Sequence, residues 1–280
     1  MRRTFSLCIA IVLLLVSCGY GNSRDQETRW RIDLRALGYG DGDLIRVAFC
    51  GPVLMLYTER NSERLLFDAA THQRVSGQLS PEHFALCGDS LQPQPVPSAG
   101  QNRIVASWKQ MVVKQVCDVE SCSEPPGKPL VRDVKFYLKK PHEEPVLLFH
   151  EHALVQYPQF LSDEYVLFFR YNLKSVVINS EGKQVYQLPV FDFPYVTVSS
   201  GGTRFAVFER SASFFHELTG TTNRARVSVF QTSNGKKLFK LAWHLNGESI
   251  ANGRVALSDD GFQVAVVRLG EVLVFKLPVS

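Results

Sequence analysis

The sequence predicts an all-β protein assembled from repeated four-stranded units. Three observations carry this expectation. Beyond the N-terminal region, apolar residues come in short runs rich in Val, Phe, Leu and Tyr, with almost no helical spacing. Clusters of Gly, Asn, Asp, Ser and Pro separate those runs, as chain reversals require. A strand–turn–strand phrase also repeats: "SSGGTRFAVF" at Ser199–Phe208 returns as "SDDGFQVAVV" at Ser258–Val267.

The first unit, two strands joined by a tight turn, is read at Ile45–Thr58, Phe84–Trp108, Gln156–Phe169, Tyr195–Phe208 and Gly253–Val267. A second unit follows each copy: an apolar strand, a polar turn and another strand. It is read at Arg64–Leu79, Arg132–His150, Ser175–Pro189 and Arg226–Trp243, and a last copy, Gly270–Ser280, stops after its first strand. Its turns contain Glu181-Gly182 and Asn234-Gly235, and Asn-Gly suits the positive φ angles of a two-residue hairpin turn.

Four strands per unit, repeated every 40 to 60 residues or so, describe a single β-propeller, whose blades number four to eight. Five blades fit better than six. The fifth lacks a strand, and Arg29–Leu37 has no partner. Trp30, Ile32 and Leu34 alternate as a half-buried strand requires, so this segment is expected beside Glu271–Leu277. Two insertions interrupt the repeats. Ser90–Gln101 holds Pro93, Pro95 and Pro97 and cannot pair as a central strand, and Ser211–Arg224 sets Phe214 and Phe215 among polar residues.

The segments "VSVFQTSNGKKL" and "LLFDAATHQRV" resemble half of a WD- or YVTN-type, quinoprotein-like propeller blade. Phe67-Asp68 stands where WD repeats carry Trp-Asp. The resemblance spans roughly residues 29–280, but the Gly-His element and the Trp-Asp dipeptide are absent. It therefore implies the broad propeller superfamily, not a subfamily of defined activity.

The leader speaks about compartment. Arg2 and Arg3 precede an apolar run from Leu7 to Val16, far short of the ~20 residues that span a bilayer and suited to a signal peptide. Leu15-Val16-Ser17-Cys18 resembles a bacterial lipobox, which implies cleavage before Cys18 and lipid attachment to it. Gly19 in the next position resembles the outer-membrane sorting pattern. An ordinary secretory signal and an uncleaved anchor are the alternatives. The organisation read from the chain is a signal peptide over 1–17, a polar tether over 18–28 and a propeller over 29–280.

A periplasmic, lipid-anchored location makes disulfides expected. Beyond Cys8 and Cys18 the cysteines are Cys50, Cys87, Cys117 and Cys122, which allow three pairings. The loop-sized "CDVESC" favours Cys117–Cys122. Cys50 in "VAFCGP" and Cys87 in "FALCGD" occupy matching places in the first units of blades one and two, so a Cys50–Cys87 bridge is expected to use the other pair.

Signatures of catalysis are missing. There is no nucleophile elbow, zinc-protease helix, P-loop or EF-hand motif. "GYGDGD" lacks the following helix that a phosphate cradle needs. His150 and His152 share a strand face but make too few ligands for zinc, and Asp41 with Asp43 too few for calcium. No cofactor is expected. The net charge of +4 falls to +2 once Arg2 and Arg3 leave with the leader (4 − 2), which argues against nucleic acid as partner. The expected function is a non-catalytic binding or scaffolding module for an unknown protein or small ligand, attached to the membrane through its lipid alone. A propeller enzyme of lactonase, quinoprotein or glycan-active type, with its site in the central channel, is the alternative. The apolar inner strands lean against it.

Overall fold

The computed structural model describes residues 28–40, 43–58, 63–77, 87, 102–116, 134–151, 158–170, 173–189, 195–210, 224–245 and 253–279. They form five antiparallel four-stranded sheets. Sheet one holds β1's successors in the chain: β2 (Ile45–Cys50), β3 (Val53–Thr58), β4 (Arg64–Asp68) and β5 (Arg74–Val75). Sheet two holds β6 (Asn102–Trp108), β7 (Met111–Val116), β8 (Val134–Lys139) and β9 (Val146–Glu151). Sheet three holds β10 (Gln159–Phe160), β11 (Tyr165–Phe168), β12 (Ser175–Asn179) and β13 (Gln184–Leu188). Sheet four holds β14 (Tyr195–Val198), β15 (Arg204–Arg210), β16 (Arg224–Gln231) and β17 (Lys237–His244). Sheet five holds β18 (Val255–Leu257), β19 (Gln263–Arg268) and β20 (Glu271–Lys276), with β1 (Thr28–Asp33) outside β20.

The last pairing joins the two ends of the chain. β1 runs antiparallel to β20, with Trp30 opposite Val274 and Asp33 opposite Glu271. The N-terminal strand thus stands where alternation of Trp30, Ile32 and Leu34 places it. All three side chains are buried, while Arg31 and Asp33 between them are exposed.

First strands lie nearest one another. β18 packs against β2 and β14, and β6 packs against β10. The sheets stand face to face around that centre, so their middle strands are buried on both sides. This explains the continuous apolar runs. In β2, Val47 and Phe49 enter the core shared with sheet five, while Ala48 and Cys50 point the other way. In β19, Val264 and Val266 face sheet four, and Ala265 and Val267 face sheet one. Sheets two and three share Phe136, Phe160 and Phe168, with Phe136 and Phe168 edge to face at 5.2 Å. Outer strands alternate instead: β8 buries Val134, Phe136 and Leu138 and turns Lys135 and Lys139 outward.

Two local expectations are corrected. The inner hairpin of sheet two is not Phe84–Cys87 with Asn102–Trp108. Asn102–Trp108 is itself the inner strand and pairs with Met111–Val116. The reversal between them turns through Lys109 at φ 52°, a conformation that only glycine adopts freely. The second correction concerns Asn234-Gly235. Gly235 has φ 68°, but Asn234 is not among the positive-φ residues. The loop is wider than two residues, closed by the Gln231 N–H donating to the Lys236 carbonyl at 2.9 Å. Asn234 serves through its side chain, accepting from the Lys236 N–H at 2.9 Å.

Candidate functional site

Antiparallel up-and-down order gives every sheet two unlike ends. Reversals from first to second strand and from third to fourth lie at one end, called here the turn end. Connections from second to third strand, and from one sheet to the next, leave from the other, the connection end. Both sequence insertions, Ser90–Gln101 and Ser211–Arg224, interrupt connections of the second kind; apart from Arg224, which opens β16, they lie outside the described residues.

The turn end is tied together from sheet to sheet. Between sheets two and three, Trp108 Nε1 and Lys109 Nζ donate to the Asp163 carboxylate at 2.6 and 2.8 Å. These two hydrogen bonds, Lys109 first, hold Asp163 below the usual carboxylate range. Between three and four, the turn at Gly202 sits directly on Leu161 and Ser162. A Cβ at Gly202 would lie 2.6 Å from the Ser162 Cβ and 2.8 Å from the Leu161 carbonyl oxygen, and φ is +67°. Gly202→Ala is therefore expected to cost about 2 kcal/mol from backbone strain and the clash together, read as a lower urea midpoint at unchanged slope. An unshifted midpoint counts against this contact.

Between sheets four and five, Arg204 reaches across. Its guanidinium is buried, donates to the Gly261 and Pro278 carbonyls at 3.0 and 2.8 Å, and lies over the Phe262 ring. Ser200 Oγ donates to the Asp259 carbonyl at 3.3 Å. Between five and one, the Gly51 N–H donates to the Asp259 carboxylate. Burial, more than the neighbouring Asp260, raises the Asp259 carboxyl above its ordinary range despite that bond. A raised folded-state value means a contribution that is present below the unfolded value, about 3.9, and lost as pH rises through the folded one. Asp259→Asn should thus melt higher than the wild type near neutral pH, and the gain should vanish in acid. A gain that persists unchanged at low pH contradicts the assignment.

Outer turns lean on neighbours in the same way. At Gly182, where φ is +81°, a Cβ would run into the Leu147 carbonyl oxygen of sheet two. Tyr186 Oη donates to the Thr232 carbonyl of sheet four at 2.6 Å, and burial raises its pKa. The His72 ring stacks on Trp30 at 4.8 Å, joining sheet one to β1.

The repeated Ser and Asp of the sequence phrase are turn builders here. Ser199 Oγ and Ser258 Oγ each accept the N–H that opens the next strand, from Arg204 at 3.2 Å and Gln263 at 2.9 Å. Asp260 accepts from Ser258 Oγ and the Phe262 N–H. Asp68, in the position of the WD aspartate, accepts from the Thr71 and Ala70 N–H groups.

The connection end is built differently. Leu44, Leu173 and Tyr195 are exposed there, at 38, 39 and 38%. Arg46 and Arg254 sit at or beside the starts of inner strands β2 and β18, and Arg46 packs against the backbone at Gly253. Arg170 follows β11 at the same end. Deeper in sheet four, the Arg226 guanidinium pairs with the buried Glu209 carboxylate directly opposite it.

Of the predicted site residues, Cys50 and Cys87 form a disulfide, with Cα atoms 4.1 Å apart. They do not hold matching places in adjacent blades. Cys50 ends β2, whereas Cys87 lies before sheet two begins and forms a lone antiparallel bridge to Cys50. Cys18, Cys117, Cys122, Asp41 and His152 lie outside the described residues. His150 is exposed on β9 opposite Lys135. The Asp43 carboxylate accepts from the Gly40 N–H at 2.8 Å, and a strand rather than a helix follows it. Among the described residues no group of three or more His, Cys, Asp or Glu side chains is placed to hold a metal ion. Arg204 and Asp163 carry inter-sheet contacts that no motif announces. The partners of Arg204 are 57 and 74 residues away in the chain, and those of Asp163 are 54 and 55.

The described residues form a β-propeller of five blades. No family model matches its sequence, and no curated protein does. Solved propellers resemble it in structure. One is the β-propeller domain of Cps50 (Swd1) from Myceliophteria thermophila, at 8% identity over 90% of this chain and 100% of that one, with a TM-score of 0.39. Another is BamB from Moraxella catarrhalis, at 15% identity over 85% and 87% of the two chains, with a TM-score of 0.29. The likeness is one of architecture.

Proposed function

We propose that this propeller is a lipid-anchored, extracytoplasmic binding module that presents its connection end to a protein partner. The observation that carries the reading is the contrast between the ends. At the turn end the reversals are engaged in contacts between blades, and the exposed apolar side chains there, Val75, Leu147, Val185 and Val279, are scattered singly around the outer rim. The connection end leaves Leu44, Leu173 and Tyr195 exposed and has the half-buried Arg46 and Arg170 at the same end, a mixture of apolar, aromatic and guanidinium groups that suits protein recognition. The compartment rests on Leu15-Val16-Ser17-Cys18 after a short apolar run. An oxidising location also supports the Cys50–Cys87 bridge.

Two experiments test this. Cys18→Ser should abolish acyl labelling and release the chain from membranes; membrane association unchanged by the substitution refutes the anchor. A photo-crosslinking residue at position 195 should capture a discrete protein adduct in the native envelope, and one at position 143 on the turn end should not. Equal capture from both positions refutes the assignment of the binding face.

A further inference from the structure

We infer that the anchored propeller stands with its turn end against the lipid surface and its connection end directed away from it. This rests on the lipid-anchor reading above, and adds the orientation. The direction of β1 decides it. β20 runs toward the turn end, where Lys276 lies opposite Gln263 at the start of β19 and the Leu277 N–H donates to the Phe262 carbonyl. β1 is antiparallel to it, so Thr28, opposite Phe275, enters at the turn end, and Asp33 finishes at the connection end.

Cys18 precedes Thr28 by ten residues. Drawn out straight, ten residues reach at most about 35 Å. The six-residue strands β1 and β20, which the chain would have to pass, make blade five about 20 Å deep. Turning the connection end to the membrane would use more than half of that reach merely to pass the side of blade five. With the turn end facing the lipid, the chain has nothing to pass.

Side chains on that end agree. The outer strands of blades one to three start at the turn end, and each exposes an apolar second residue: Val75 at 39%, Leu147 at 45% and Val185 at 41%. Val279, just past β20, is 78% exposed at the same end. This broken apolar rim is compatible with lying on headgroups, and it is too sparse to insert.

The test uses the full-length, lipidated protein in vesicles of phosphatidylethanolamine and phosphatidylglycerol that carry an acceptor-labelled headgroup. A donor dye is attached through an azide-bearing residue at Glu143, in the β8–β9 turn, or at Leu269, in the β19–β20 turn. Energy transfer should be greater from position 143, which stands nearer the lipid by the depth of a blade, ~20 Å. Equal transfer, or more from position 269, overturns the orientation while flotation dependent on Cys18 upholds the anchor. If the chain does not float, or Cys18→Ser floats equally, the anchor fails and the orientation with it.

Discussion

A chain shortened to begin at residue 38 is expected to lose cooperative folding, or to melt far below the intact protein. The deletion takes away the outer strand of blade five and with it the buried Trp30, Ile32 and Leu34. Each buried side chain of this size contributes about 1.5–3 kcal/mol, so three contribute roughly 5–9 kcal/mol. That rivals the whole stability of a typical domain, about 5–15 kcal/mol. Two further losses add to it. Trp30 no longer stacks on His72 of blade one, and Val272 and Val274 of β20 lose the strand that covers their edge. The unpaired edge also becomes a template for association. Thermal melting and light scattering of both lengths are the measurements. A shortened chain with an unaltered melting temperature would show that β1 does not hold the ring.

The legibility of this fold in the sequence varies from blade to blade for physical reasons. Blades four and five read clearly because their reversals carry Ser, Asp and Gly, the residues whose side-chain bonds and positive φ make the turn. Blade two reads poorly because its inner reversal passes through Lys109 and Gln110, which announce nothing. Lys109 reaches φ 52° in a fold that binds its ammonium to Asp163 in the next blade. "FALCGD" then looks like the missing inner strand only because it shares its lettering with "VAFCGP". The inter-blade contacts at the turn end were not legible at all. A local pattern can show that Arg204 opens a strand, but not that its guanidinium will be buried against Gly261 and Pro278. The arginines at the connection end carry no sequence signal for the same reason, since each stands singly in its own strand or connection.

Loss of the Cys50–Cys87 bridge is the other large effect expected. The reason lies in where the bridge stands. Blade pairs five–one, two–three, three–four and four–five each share an apolar cluster with side chains from both sheets. On the face of blade one turned away from blade five, the cluster among the described residues is small: Ala48, Cys50, Met55, Leu66 and Cys87. Cys87 is its one member from outside blade one, so the covalent bond holds the chain leading into blade two at the place where, among the described residues, apolar packing is thinnest. The two cysteines are 37 residues apart, and closing a loop of that size stabilises by roughly 2–4 kcal/mol. Both are buried, so a reductant should act only when the protein opens. Cys50→Ala with Cys87→Ala should lower stability by about that amount, and fully reduced wild type should match the double variant, which separates the bond from the sulfur atoms' own packing. Non-reducing peptide mapping of protein made in an oxidising compartment should recover the two cysteines joined. The bridge is refuted if both thiols alkylate without reductant in the denatured protein, and its role is refuted if the double variant melts with the oxidised wild type.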